Sequence, residues 1–174
     1  MDKREKQDRL LRNLMDDFVD GDMPAELFLK EETGGATDIL RVAVDDFGRD
    51  GDDALAEFFF MDLEDTGAED VVYFASVVTL DEELEQAHLP KLFEAVGKLN
   101  FYLPAGCFAV SSNGTMLVFK VMAQMPKELS EEAMLRQMNI SAAHALQAAE
   151  PYAALLTGIA HGDNDLSEIE GLLP

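Results

Sequence analysis

The sequence predicts an α+β fold, with an antiparallel sheet of about five strands packed against an N-terminal, a middle and a long C-terminal helix. Three observations carry this expectation. Apolar residues recur at spacings of three and four near the N-terminus and again over 131–159, the pattern of a helix with one buried face. Three short runs rich in Val, Ile, Phe and Tyr lie between 39 and 80, divided by acidic breaks that contain Gly; such residues favour strands. Asn113-Gly114 sits between two further apolar runs and is a preferred pair for a two-residue hairpin turn.

In chain order, residues 8–19 read as a helix through Leu10, Leu11, Leu14, Met15 and Phe18, with Gly21 as its stop. Met23-Pro24 begins an extended piece, and Thr33-Gly34-Gly35 marks a loop. The runs 39–44, 55–63 and 71–80 then form an antiparallel meander whose turns hold much of the negative charge. Thr79 with Glu82 has capping-box spacing, so 81–85 is expected to open a helix. Pro90 suits its first turn, and Leu92, Phe93, Val96 and Leu99 continue its apolar face.

Residues 106–125 form the hairpin. A type I′ turn at Asn113-Gly114 makes opposed residue numbers sum to a constant. Phe108 then faces Phe119 and Val110 faces Leu117, while Cys107 with Lys120, Ala109 with Val118 and Ser111 with Met116 share the reverse side. Ser130 caps the last long helix and Glu131 and Glu132 suit its dipole. Pro151 kinks or restarts that helix, and Gly158 and Gly162 mark its end. Residues 1–160 read as one α+β domain and 161–174 as an acidic, mobile tail.

The charge is segregated. Residues 14–85 carry 23 acids against three bases, residues 86–160 carry five of each, and the whole chain reaches −22. That charge argues against nucleic acid and anionic membranes as partners, and it would steer basic segments toward the chain. Apolar content of 48% supports a packed core. One cysteine excludes an intrachain disulfide and fits a reducing compartment. With no secretory signal and no apolar run of ~18 residues, the sequence predicts a soluble cytoplasmic protein.

Chemical motifs are sparse. The chain lacks a phosphate loop, a His-Glu-x-x-His pair, a Cys-x-x-Cys and a Gly-x-Ser-x-Gly elbow. Asp46, Asp50, Gly51 and Glu57 match four positions of a calcium loop, but Gly48 and Asp53 stand where a ligand and an apolar residue belong. An acidic hairpin turn is the better reading, with weak calcium binding as the alternative. His88, His144 and His161 are dispersed and have no ligand spacing. Cys107 opposite Lys120 reads as an ordinary strand residue, with a thiolate favoured by the cation as the alternative. No catalytic residue, cofactor or metal is assigned. Five of the nine methionines fall between Met116 and Met138, and Met is frequent at surfaces that accept varied partners.

The stretch Leu99-Asn100-Phe101-Tyr102-Leu103-Pro104-Ala105-Gly106-Cys107-Phe108 runs from a helix end through Pro and Gly into a hairpin, and residues 130–156 close with Glu-Pro-Tyr. With the order helix, three strands, helix, hairpin, long helix, this resembles the type III secretion chaperone-like fold. Within that fold it is most similar to the YbjN-like family of bacterial sensory-transduction regulators. The resemblance implies a non-enzymatic dimer, and members of the wider fold wrap an extended partner around apolar patches. The expected function is a protein-binding, chaperone-like or regulatory homodimer with a basic or apolar polypeptide partner. Its contact surface is expected at Met116, Val118, Met134, Met138, Ala142, Ala145 and Ala149. The alternative is a small metal-assisted or carboxylate-dependent enzyme.

Overall fold

In the computed structural model, which describes residues 3–48, 51–61 and 70–171, the chain is α+β and is built on a six-stranded antiparallel sheet. Helix α1 spans Lys3–Asp20 and starts earlier than its apolar pattern indicates. Its end is set by Gly21, whose N–H donates to the Asp17 and Phe18 carbonyls, and by Asp22 in the left-handed region at φ 61°. Strand β1 (Ala25–Phe28) and the single turn α2 (Lys30–Thr33) follow. The meander is β2 (Ile39–Phe47), β3 (Asp52–Met61) and β4 (Val71–Asp81). Next come α3 (Leu89–Tyr102), the hairpin β5 (Cys107–Val110) and β6 (Leu117–Pro126), and α4 (Glu131–Ala149). A 3₁₀ turn at Glu150–Tyr152 leads to α5 (Ala153–His161) and α6 (Leu166–Glu170).

The strands are ordered β1-β2-β3-β4-β6-β5. The sixth strand is the extended piece after Pro24, which pairs its residues Ala25 and Phe28 with Val42 and Ile39. Thr79 is a buried residue of β4 opposite Leu55 and Val118, so it caps no helix. Helix α3 begins only at Leu89, with Pro90 in its first turn.

The hairpin has the predicted register: Phe108 pairs with Phe119, Val110 with Leu117 and Cys107 with Lys120. Its turn differs from type I′. Gly114 N–H donates to the Ser111 carbonyl, and Asn113 does not adopt the positive φ that a type I′ turn requires. The hydroxyl of Ser111 accepts from Thr115 and Met116 N–H, and the Asn113 carbonyl oxygen accepts from the Ser111 and Thr115 hydroxyls. These side-chain bonds stabilise a wider turn without changing the pairing.

All the buried strand side chains of the core point to one face. Leu40, Val42, Ala56, Phe58, Phe60, Phe74, Val78 and Phe119 meet Leu10, Leu11, Leu14 and Phe18 of α1 and the apolar stripe of α4. Phe18 stacks on Phe58 with ring centroids 5.1 Å apart. At the rim, α3 lies beside β5: the Asn100 side chain accepts from Phe108 N–H at 2.8 Å and donates to its carbonyl at 2.9 Å. Arg9 of α1 holds both oxygens of Glu131 in the first turn of α4.

The expected tail departs from prediction as far as Gly171. Ile169 of α6 is fully buried, Lys91 binds Asp165, and Lys98 binds Glu170 at 2.9 Å. Nonlocal apolar burial and the two α3 lysines hold this acidic segment on the body. Gly158 lies inside α5, and Gly162 alone provides the left-handed cap at φ 82°.

Candidate protein-docking face

Side chains alternate across a strand, so the sheet register specifies what its second face displays. At one level Phe28, Ile39, Phe59, Ala75 and Met122 are successive neighbours across five strands. One level along, the row is Glu26, Arg41, Glu57, Val77, Lys120 and Cys107. The next is Ala43, Leu55, Thr79, Val118 and Ala109. Met61 and Tyr73 pair beyond the first row.

None of these side chains belongs to the core cluster or packs against it. Among the described residues, no helix covers this face. An antiparallel sheet with one wet face ordinarily alternates apolar-in and polar-out. Here the outer positions carry Phe, Ile, Leu, Met, Val and Tyr; Met122 is 42% exposed, the other large apolar ones are half-buried, and Ala75 and Thr79 are buried. An apolar sheet face left without a covering helix is a candidate interaction surface.

The charged row is organised. Arg41 Nε donates to Glu57 at 2.8 Å, and its guanidinium lies 4.8 Å from the centre of the Phe28 ring. Lys120 is exposed and has no ion-pair partner among the described residues. The row lies between two apolar ones, which places complementary charges in otherwise apolar surroundings.

Two of the seven predicted contact residues, Met116 and Val118, are half-buried, and Val118 lies in the third outer row. The other five are corrected by their burial: Met134, Met138, Ala142, Ala145 and Ala149 are at most 2% exposed. Their stripe covers the sheet of its own chain, so it is closed to a partner. The other residues of this face lie on β1 to β6, most of them in the acidic half of the sequence. Their signal was the apolar strand runs, which do not say which side of the sheet is left open.

The predicted histidine positions bear on the enzyme alternative. His161 Nε2 lies 2.7 Å from Asp81 Oδ2, and Nδ1 lies 3.5 Å from Glu85. The Asp81 hydrogen bond, reinforced by its charge, holds the imidazole above its ordinary value of 6.5 despite the opposing effect of burial. Both ring nitrogens therefore face carboxylates, leaving neither as a free base. Thr157 beside it donates to the backbone carbonyls of Ala153 and Ala154. This constellation is an ion-pair latch between the end of β4 and the end of α5. His88 stands 3.5 Å from Glu85, and His144 faces the Ala105 carbonyl.

At the acidic turn, Glu57 is placed on β3 opposite Arg41, away from Asp46 at the bend; Asp50 lies outside the described residues. Among the described residues no group of three or more His, Cys, Asp or Glu is arranged to hold a metal. No helix among them is long and apolar enough to cross a membrane. The chain matches no protein-family model and no curated protein sequence.

Proposed function

We propose that the chain is a non-enzymatic, cytoplasmic protein-binding subunit, chaperone-like or regulatory, whose open sheet face receives polypeptide. The observation that carries this reading is the row Phe28–Ile39–Phe59–Ala75–Met122, which is apolar across five strands and uncovered by any described helix. Burying such a surface supplies the driving force for association, at about 25 cal/mol per Å². The charged row beside it supplies orientation. A homodimer related to the YbjN-like and secretion-chaperone proteins is the form that fits the sequence resemblance.

The arrangement of His161 gives the enzyme reading less support, because its nitrogens are already engaged. A photo-crosslinking residue placed at Met122, on the open face, tests the proposal. Irradiation should yield polypeptide adducts, from a second copy or from another protein, while the same residue at exposed Val19 on α1 yields none. Equal labelling from both positions, or none from Met122, overturns the reading.

A further inference from the structure

We propose that the open face pairs with the same face of a second copy about a two-fold axis that runs along β4. This rests on reading that face as a polypeptide contact surface. A two-fold axis parallel to the strands keeps level along them and reverses order across the sheet. Laid along β4, it sets β3 of one copy over β6 of the other.

The register then determines every opposed pair. Phe59 meets Met122 of the second copy, Glu57 meets its Lys120, and Leu55 meets its Val118. Each pair occurs twice. On the axis Ala75, Val77 and Thr79 face their own counterparts. Ala75 and Thr79 are already buried within the chain, so the flanking residues of β3 and β6 supply the contact. Aligned sheets stack ~10 Å apart, a gap that extended Glu and Lys side chains span together.

Charge identifies the occupant. The outer row reads Glu26 minus, Arg41 plus, Glu57 minus, and the second copy's Lys120 supplies the next plus. Within one chain Glu26, Arg41, Glu57 and Lys120 cancel, so this row is neutral on a molecule of net charge −22. A basic peptide laid on it would meet Arg41 and Lys120. A second copy sets its Lys120 against Glu57 twice, with Arg41 over its Cys107. An axis laid along the charged row itself would set each charge against its like, so the strand-parallel axis is favoured.

Size is adequate. Strand spacing and rise give β2, β3, β4 and β6 about 600 Å² of flat face per copy. The edge strands and side-chain relief bring this toward the about 800 Å² per partner of a standard interface.

The test is a charge exchange read by light scattering. The wild-type chain should have twice its 19.2 kDa mass. Lys120→Glu alone and Glu57→Lys alone each place like charges together twice, and each should weaken the dimer at least about a hundredfold. Mixed in equal amounts they should dimerise again, because every opposed pair in the mixed dimer is complementary. Should either variant fail to melt cooperatively, Leu55→Asp mixed with Val118→Lys repeats the exchange one level away. A monomeric wild type, variants that stay dimeric, or a mixture that stays monomeric overturns the pairing. If the wild type is monomeric yet Met122 crosslinks to a different polypeptide, self-pairing falls and the binding function stands.

Discussion

Ser76 on β4 and Ser141 on α4 share a hydrogen bond of 3.0 Å in the middle of the apolar core. Both are buried, and they join the sheet to the helix that covers it. Removing one hydroxyl leaves the other without its partner, which costs about 1–3 kcal/mol. Ser141→Ala and Ser76→Ala should each lower the urea midpoint, while the double variant should be closer to wild type than the sum of the two. A double-mutant cycle measures this; strictly additive losses would refute the pairing.

The latch at His161 makes stability depend on pH. Its folded-state value lies above the ordinary 6.5. The contribution is therefore full below the unfolded value and is lost as pH rises through the folded one. Wild type should lose stability across that window, and His161→Gln should flatten this loss. Urea midpoints measured from about pH 5.5 to about pH 8.5 span that window. An unchanged slope in the variant would remove His161 as the cause.

Neighbouring phenylalanines of β3 should behave oppositely. Phe58 is fully buried beneath α1, so Phe58→Ala should cost about 3–5 kcal/mol. Phe59 points to the open face, so Phe59→Ala should change the monomer's stability far less and weaken association instead. Thermal melts and light scattering on both variants separate the effects. Equal loss of stability would mean that the outer face is covered.

Two glycines offer a similar contrast. Gly106 has φ 76°, and a Cβ there would come within 2.6 Å of the Phe119 ring and 2.9 Å of the Lys120 carbonyl. Gly106→Ala should cost about 2 kcal/mol or more through strain and overlap. Gly97 is helical with nothing within 4 Å of such an atom. Gly97→Ala should stabilise by up to about 1 kcal/mol. Calorimetric melting checks both signs.

The legible part of this fold is the part decided locally. The hairpin register follows from two short apolar runs around one turn, and Phe108 meets Phe119 as that arithmetic requires. The helix of Ser130 was equally readable from its cap, which accepts from Ala133 N–H at 3.2 Å. What the sequence does not encode locally is which surface an apolar stripe will cover. Met138 and Ala145 would look alike facing a partner chain or the sheet of their own chain. The acidic end read as loose for a related reason, since its binding to Lys91 and Lys98 joins residues more than seventy positions apart. On β3 the run Phe58-Phe59-Phe60 signalled a strand, but not that its middle ring belongs to a different surface from the other two.

The amide of Asn100 has a consequence for assembly. By both donating to and accepting from Phe108, it occupies the two backbone groups that this residue would offer a seventh strand on the β5 side. Lateral pairing at that rim is thereby hindered at Phe108 by a single side chain. A two-fold pairing through the flat face, as proposed above, would use up the apolar surface and leave none for a third chain. A particle of that kind would close at a finite size, which would guard a chain with an apolar outer sheet face against polymerising into fibres.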